Sequence, residues 1–258
     1  MQRGRRNGYN RAMSWILAVE TSTEWCSVAL GRAGADGVVA TVSRHEHTGA
    51  RSSARVLPAV GEVLAEAGIA LADCVAIAFG AGPGSFTGLR TACGVAQGLA
   101  FGAGVPVIPL NTLMACAERV RLEATLPADT AVLVALDARM DEAYAGAFRW
   151  QAGEWVTDTD LQVCPPEAVA MPAAPFWLAG NAATVFGDRL PAAAAASRVL
   201  PDALPDARPM VHLALRAWAR GEAIDAAHAA PLYLRDKVAK TVAEREAARA
   251  AAAEGAQP

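Results

Sequence analysis

The chain has 258 residues, of which 53% are hydrophobic and 6% aromatic, and its formal net charge is -3 at pH 7. This length is sufficient for one large domain or two smaller ones, with ample residues for a hydrophobic core. The slightly acidic balance excludes a general electrostatic attraction to nucleic acid, so any RNA contact has to be local or come from a partner. Apolar runs are shorter than the roughly 18 residues of a membrane-spanning helix, and we expect no membrane association.

The cysteines and the first residues indicate the cellular compartment. Five cysteines are scattered along the chain without a C-x-x-C pair. This pattern argues against a disulfide framework or a zinc site and predicts a reducing, cytoplasmic environment. Residues 1–13 carry four arginines but lead into no apolar signal core. We therefore expect these residues to form a flexible N-terminal extension.

Three short strands and an amphipathic helix are predicted after this extension. Turn residues separate the strands, which are Trp15–Val19, Cys26–Gly31 and Val38–Ser43. In the helix, apolar residues recur at helical spacing from Val56 to Ala67. We expect Ser52 or Ser53 to cap its N-terminus and Gly68 to end it.

A glycine-rich run at residues 78–104, AFGAGPGSFTGLRTACGVAQGLAFGAG, resembles a phosphate-binding loop that leads into a helix. It lacks the lysine of a Walker loop, and Ser85 or Thr87 replaces the last glycine of the dinucleotide-binding pattern. We predict a buried strand at Val75–Phe79, a tight turn, and a helix that opens near Gly88 with Ser85 or Thr87 as its cap. Free amide groups at this helix start could hold an anion. The residues of this structural loop or candidate anion site are Gly82, Gly84, Ser85, Thr87 and Gly88.

The remaining elements alternate between strands and helices. Further strands are predicted at Val105–Pro109, Ala131–Leu136, Ala143–Phe148 and the start of FWLAGNAATVFGDRL. Further helices are predicted at Thr112–Glu123, at the end of that last segment, and at Met210–Arg220. The Ala- and Pro-rich stretch Pro191–Pro209 is expected to be a loop.

Two segments of similar design, ILAVETSTEWCSVAL and VLVALDARMDEAYAGAF, indicate an internal duplication. Each has an apolar strand that ends in a carboxylate, Glu20 or Asp137, followed by a polar turn and a second strand. Such units with their helices predict an α/β protein of two related lobes, the outline of the actin-like, ribonuclease H-like superfamily. We expect the first lobe at 14–109, the second lobe with a C-terminal helix at 110–236, and a frayed or disordered Ala/Glu/Arg-rich tail at 237–258.

Five segments occur in an order that is typical of one family. They are ILAVETSTEWCSVAL, AFGAGPGSFTGLRTACGVAQGLA, VLVALDARMDEAYAGAF, AGN and PLYLRDKVA, and together they closely resemble the TsaB (YeaZ) family. The resemblance implies an accessory subunit, without catalytic residues or a cofactor, of the bacterial machinery that makes threonylcarbamoyladenosine (t6A) in tRNA. The implied partner is a TsaD-type transferase, a paralogue that transfers threonylcarbamoyl to N6 of adenosine 37 in tRNAs that read ANN codons. A TsaE-type ATPase is implied to join the complex, the free chain to be a homodimer, and tRNA to be contacted indirectly.

Three glycines that follow the loop, Gly94, Gly98 and Gly102, fall on one stripe of the predicted helix. Each glycine in a helix costs about 1 kcal/mol relative to alanine, so we expect a compensating close contact with the chain's own sheet or with another helix. The resemblance implies the second, because the two helices of the first lobe pack against the same helices of a second subunit in this family. The predicted interface residues are Val56, Val60, Leu64, Arg90, Gly94, Gly98 and Gly102.

Glu20, Thr21 and Asp137 occupy the turns where an actin-like kinase holds magnesium and phosphate. We interpret them as degenerate phosphate hairpins, because the first acid is a glutamate rather than an aspartate and neither turn contains a lysine. A stand-alone ATPase or small-molecule kinase is the alternative function. In the purely structural interpretation, both acids accept hydrogen bonds from backbone amides of their turns.

Two other functions and a metal site find less support in the residues. His45 and His47 would face one side of an extended segment but need a third ligand, so we expect a solvated polar loop and no metal. A peptidase would need an activated nucleophile, and Ser85 has no evident base. A free-standing RNA-binding module would need a basic and aromatic strand pattern, which the sequence lacks.

Overall fold

The computed structural model describes residues 14–34, 39–173 and 175–235, so the predicted extension at 1–13 and tail at 237–258 lie outside the described residues. The strands within these ranges are β1 (Trp15–Glu20), β2 (Trp25–Ala33), β3 (Val39–His47), β4 (Cys74–Gly82), β5 (Val107–Asn111), β6 (Ala131–Asp137), β7 (Ala143–Gln151), β8 (Glu154–Cys164), β9 (Phe176–Ala179) and β10 (Arg198–Leu200). The α-helices are α1 (Ser52–Ala67), α2 (Phe86–Ala103), α3 (Thr112–Glu123), α4 (Ala182–Phe186), α5 (Pro191–Ala195) and α6 (Ala207–Arg220).

The strands form two five-stranded sheets with the same topology. The first has the order β3-β2-β1-β4-β5, and the second, read from its other edge, has the order β8-β7-β6-β9-β10. In each sheet the first three strands pair antiparallel and the last two join in parallel. This repeat confirms the predicted duplication and the two-lobed, actin-like and ribonuclease H-like α/β fold. Glu20 and Asp137 are the last residues of the equivalent strands β1 and β6.

The duplication is complete in the sheets but not in the helices. Between its third and fifth strands the first lobe carries two long helices, α1 with 16 residues and α2 with 18 residues. The corresponding connections of the second lobe are a single 3-10 turn at Pro166–Ala168 and the short helices α4 and α5, each of 5 residues. Among the described residues, the extended helical surface therefore lies on the first lobe, because the second lobe has short elements in place of α1 and α2.

A continuous hydrophobic core joins the two lobes. Helices α3 and α6 pack on each other between the sheets, α3 mainly against β6 and α6 mainly against β1 and β2. One core cluster accordingly combines Ile16 and Ala78 of the first sheet with Val134 and Phe148 of the second and with Met210 of α6. Helix α6 follows the second sheet in the chain but completes the core of the first. The domain boundaries proposed from the sequence remain predictions.

Local sequence signals account for most helix ends. Helix α3 covers the predicted residues, and the Asn111 side chain caps it by accepting from the amides of Leu113 and Met114. Helix α1 ends at Gly68, whose φ of +67° is a left-handed conformation that glycine adopts at little cost. The predicted serine cap of α1 is wrong: Ser52 is the first helical residue, and no side chain caps the helix at Arg51.

The structure differs from the sequence-based expectation at one unpredicted strand and at two predicted segments. Strand β8 was not predicted, because its sequence is rich in polar residues, and the way they alternate with apolar ones also occurs in loops. The loop prediction for Pro191–Pro209 is wrong in part, since α5 begins at Pro191, where the missing amide costs nothing, and β10 follows. Strand β3 continues to His47, beyond the predicted end at Ser43, while Val38 lies outside the described residues. Within the described residues, no helix is long and apolar enough to span a membrane.

Candidate functional site

The two lobes enclose a cleft of about 670 Å³ at the ends of β1 and β6. Its walls are formed by the turns that follow these strands, by the glycine-rich loop and the start of α2, and by residues 232–235, which follow α6. The segments that carry both predicted phosphate hairpins and the predicted anion loop therefore meet in one place, as the repeated topology requires. The cleft is the first candidate site, and the exposed face of α1 and α2 is the second.

The glycines of the loop are explained by close packing inside the chain. A Cβ atom at Gly80 would overlap the Glu20 carboxylate, and one at Gly88 would overlap the Thr21 carbonyl oxygen. Gly84 lies against Ser22 in the same way, and the Ser85 amide donates to the Ser22 carbonyl at 2.8 Å. The loop thus fits directly onto the β1–β2 turn, which accounts for these glycines without a ligand.

The other loop residues have structural roles as well. Gly82 has a φ of +137° and packs against the Leu232 carbonyl. The Ser85 side chain caps α2 by accepting from the Gly88 amide at 3.5 Å, and the helix opens at Phe86, two residues before the predicted start. Thr87 lies exposed in the first turn of the helix, and its carbonyl accepts from the Thr91 hydroxyl at 2.9 Å. Anion binding at this loop remains a prediction.

Glu20 is sealed inside the first lobe. Its side chain is 1% exposed, one carboxylate oxygen accepts from the Ser22 amide, and the other oxygen is buried without a partner. Burial raises the pKa of this carboxyl from its ordinary value of 4.5 to about 7, a shift that the hydrogen bond from Ser22 partly opposes. Thr21 also faces the protein, because its hydroxyl donates to the Gly88 carbonyl at 2.7 Å. Thr21 lies in the wall of the cleft, but both side chains are buried, so the first hairpin offers neither of them to a ligand.

Asp137 is held by its own turn. One carboxylate oxygen accepts from the Arg139 amide at 2.8 Å, and the other pairs with the Arg139 guanidinium at 3.0 Å. The same guanidinium reaches across the cleft to Glu24 at 2.7 Å. The Asp137 amide in turn donates to the Asn181 side chain at 2.9 Å. Both acids of the duplicated hairpins thus accept backbone amide hydrogen bonds in their turns, as the structural interpretation predicts.

His45 and His47 lie on β3 and not in a solvated loop, so that expectation is wrong. Both pack on Trp25 of the neighbouring strand: His45 stacks on it with ring centroids 4.5 Å apart, and His47 meets its edge at 5.4 Å. Burial lowers the pKa of His45, an effect that the nearby Asp206 opposes. Within the described ranges, no three His, Cys, Asp or Glu side chains gather in a way that could hold a metal ion.

Ser27 of β2, His45 of β3 and Asp206 at the start of α6 form a Ser-His-Asp group that the sequence did not predict, but the group does not have the geometry of a catalytic triad. Ser27 donates to Asp206 at 3.2 Å and accepts from the Ala207 amide at 3.0 Å. His45 approaches the other side of the Asp206 carboxylate, at 3.9 Å. The serine is fully buried and its hydroxyl is directed to the aspartate, whereas a nucleophile has to donate to the histidine. The group caps α6, since Asp206 also accepts from the Arg208 amide.

The helix face is open where the glycine stripe predicted a contact. Gly94, Gly98 and Gly102 are exposed, and a Cβ atom added at any of them would meet no other described part of the chain within 4 Å. Two large apolar side chains lie exposed on the same two helices, Leu57 of α1 with 53% of its surface accessible and Phe101 of α2 with 61%. Packing against the chain's own sheet therefore does not explain the stripe. Leu57 and Phe101 could have been recognised as large apolar residues on the otherwise polar or bare side of each helix.

Two of the other predicted interface residues face inward, and a third is partly buried. Val56 and Val60 are buried in the core of the first lobe, at 0% and 4% exposure, and Leu64 packs against the same core. The expectation that Val56 and Val60 form the edge of the interface is corrected, because the periodicity that singled them out is that of a core-facing stripe, whereas the place of the partly buried Leu64 at that edge remains a prediction. Arg90 is exposed, lies over the Phe86 ring at 3.9 Å and donates to the Tyr233 hydroxyl at 3.1 Å.

The fold and cleft define a two-lobed, actin-like α/β domain. The family model described as "TsaD: tRNA N6-adenosine threonylcarbamoyltransferase" matches residues 33–243. The TsaB protein of Escherichia coli K12 is 37% identical over 229 residues, which cover 87% of this chain and 96% of that protein. The TsaB protein of Haemophilus influenzae is 36% identical, over 86% of this chain and 94% of its own length. The solved structure of YeaZ from Pseudomonas aeruginosa superposes with a TM-score of 0.78 at 42% identity and covers 86% of this chain and 100% of that one. The chain belongs to the TsaB family.

Proposed function

We propose that this chain is a non-catalytic accessory subunit required for threonylcarbamoyl transfer to N6 of adenosine 37 in ANN-decoding tRNAs. It acts by binding a TsaD-type transferase rather than by carrying out chemistry. Membership of a family named for tRNA threonylcarbamoyladenosine biosynthesis supports the process. The open face of α1 and α2 supports the mode of action.

The observation that carries the proposal is the bare stripe of α2. Three helical glycines cost roughly 1 kcal/mol each relative to alanine, and no contact inside the described chain offsets this cost. A helix of a second subunit can approach such a stripe closely, and Leu57 and Phe101 supply apolar surface to bury beside it. The same face would serve a homodimer of the free chain and a heterodimer with the paralogous transferase, so the two assemblies would compete.

The charged groups around the cleft favour a chain that does not catalyse phosphoryl transfer by itself. Catalysis of phosphoryl transfer depends on positioned charges that face the phosphates and their metal. Here Glu20 lies beneath the loop with a pKa of about 7, and Asp137 and Arg139 neutralise each other. This arrangement favours the scaffold over the alternative of an ATPase or small-molecule kinase.

The same proposal includes the other components that the complex binds. A TsaE-type ATPase joins the complex of this chain and the transferase, and tRNA is contacted through that complex. The chain then works in the cytoplasm, where tRNA is modified. Its family membership supports each of these statements.

The test is to mix the purified chain with its cognate transferase and to measure the mass of the species by size exclusion with light scattering. We expect a one-to-one complex that replaces the homodimer, and no ATP turnover by the chain alone. Gly98→Leu should weaken the complex at least about ten-fold, because the added side chain separates the helices. Ala219→Leu is the matched control, since it adds similar bulk at an exposed position of α6 on the other face of the first sheet. A folded Gly98→Leu variant with unchanged affinity would exclude this face as the interface.

A further inference from the structure

After α6, the chain returns to the cleft, where residues 232–235 form part of its lining. The Leu232 amide donates to the Ala81 carbonyl at 2.7 Å, which attaches this segment to the end of β4. The Leu232 carbonyl packs against Gly82, where a side chain would overlap it. The glycine therefore serves this segment as well as its own turn.

The next residue, Tyr233, rests on the first turns of α2. Its ring lies against the Phe86 ring, with centroids 5.3 Å apart, and its hydroxyl accepts from the Arg90 guanidinium at 3.1 Å. The guanidinium is held at the same time over the face of Phe86, at 3.9 Å. Tyr233 thus fixes the orientation of an arginine on the helix that carries the glycine stripe.

Two residues further, Arg235 is bound to the second lobe. Its guanidinium pairs with Glu142, donates to the Arg139 carbonyl at 3.3 Å and lies over the Tyr144 ring at 5.9 Å. Its side chain is only 16% exposed, so these contacts are partly shielded from water. Within a few residues the segment joins α2 of the first lobe to the β6–β7 turn of the second.

The turn that Arg235 grips is conformationally strained. Arg139, Met140 and Asp141 have φ angles of 60°, 56° and 65°, and such left-handed conformations are unfavourable for residues other than glycine. A strained segment persists only while its surroundings hold it. The ties to this turn from other segments include Arg235, Glu24, which pairs with Arg139 at 2.7 Å, and Arg189, which pairs with Asp141 at 2.6 Å.

We propose that residues 231–235 are a clasp that ties the start of α2 to the β6–β7 turn across the cleft and couples this tie to partner docking on α2. The coupling rests on the proposed function. A partner that docks on α2 meets Arg90 in the position that Tyr233 imposes, so docking and closure of the clasp favour each other. Because coupling between two sites is reciprocal, loosening the clasp at its second-lobe end has to weaken docking at α2.

The experiment uses Arg235→Gln, which breaks the tie to the second lobe, and Tyr233→Phe, which removes only the hydroxyl that holds Arg90. Arg220→Gln is the control, because its ion pairs with Glu154 and Glu222 lie outside the clasp. Hydrogen exchange of the isolated chain reports closure through the Ala138 and Glu142 amides, which bond within the strained turn. We expect roughly ten-fold faster exchange of these amides in Arg235→Gln, as for the loss of a charged hydrogen bond, and no change in the control.

Affinity for the transferase reports the coupling. We expect both clasp variants to bind at least about five-fold more weakly than the wild type, with the control unchanged. Unchanged exchange in Arg235→Gln would overturn the clasp, and faster exchange with unchanged affinity would overturn the coupling. Failure of the wild-type chain to bind the transferase would overturn the proposed function and with it the coupling, while the exchange result would still decide closure.

Discussion

At the scale of single residues, Glu20 combines features that rarely occur together. It ends a strand, is 1% exposed, and has one carboxylate oxygen without a hydrogen-bond partner. A charged carboxylate in that environment is costly, so burial raises the pKa of Glu20 to about 7. Between pH 4.5 and about 7, the carboxyl therefore takes up a proton when the chain folds. At the equivalent position of the second lobe, the Asp137 carboxylate pairs with the Arg139 guanidinium. The same position is therefore neutralised by an ion pair in one lobe and by a raised pKa in the other.

The buried carboxyl makes stability depend on pH. Its folded pKa of about 7 lies above the ordinary value of 4.5, so its contribution is fully present below pH 4.5 and is lost as pH rises toward 7. We expect Glu20→Gln to remove this loss and to raise the free energy of unfolding near pH 8 by up to about 3 kcal/mol, with little change near pH 4.5. Urea denaturation of both proteins at each pH measures it. An equal difference at both pH values would show that the carboxyl does not titrate as the burial implies.

At the scale of elements, α3 is tied to α6 and to the second sheet by a buried carboxylate. Glu118 is fully buried and accepts from Arg121 of its own helix and from the Trp155 indole of β8, each at 2.8 Å. Arg216 of α6 approaches it at 2.9 Å. One side chain thus joins three elements, and Trp150 lies beneath both arginines.

Removing that carboxylate should be costly. We expect Glu118→Ala to lower the free energy of unfolding by about 3 kcal/mol, because it leaves Arg121 and the Trp155 indole without their acceptor and removes an ion-pair partner of Arg216. Glu123→Ala on the same helix removes a carboxylate that is 53% exposed and should change stability by less than about 1 kcal/mol. Chemical denaturation of the two variants makes the comparison. Equal effects would mean that burial does not decide the strength of these ion pairs.

At the scale of the whole molecule, the two lobes are not independent units. A single core cluster contains residues of both sheets and of the helices between them. The crossing of α6 to the first sheet means that neither lobe can complete its core without the other. The inter-lobe pair of Arg139 and Glu24 is exposed and contributes little beside this shared core.

The shared core predicts that the lobes unfold together. We expect one cooperative transition in urea, with coincident midpoints for the circular dichroism of the helices and the fluorescence of the tryptophans. Tryptophans lie in both sheets, among them Trp25 in the first and Trp177 in the second, so both lobes contribute to the fluorescence signal. Two separated transitions would contradict the shared core.

Much of this architecture could be predicted from the sequence. The strand-acid-turn-strand repeat and helix α3 were recognised because their periodicity and turn residues are local signals. Strand β8 and the inward orientation of Val56 and Val60 were missed or misassigned. A polar alternation does not distinguish an edge strand from a loop, and helical spacing does not reveal whether an apolar stripe faces its own core or a partner.

By itself, the sequence determined the two-lobed α/β class, the family and the unusual cost of the glycine stripe, because these depend on pattern and composition along the chain. Only the tertiary structure decided that the loop glycines fit against the β1–β2 turn, that Glu20 is sealed away from the cleft, and that Gly94 and Gly98 remain open. Those features depend on which segments, distant in the chain, come into contact when the sheets and helices pack, and local propensity carries no information about that contact.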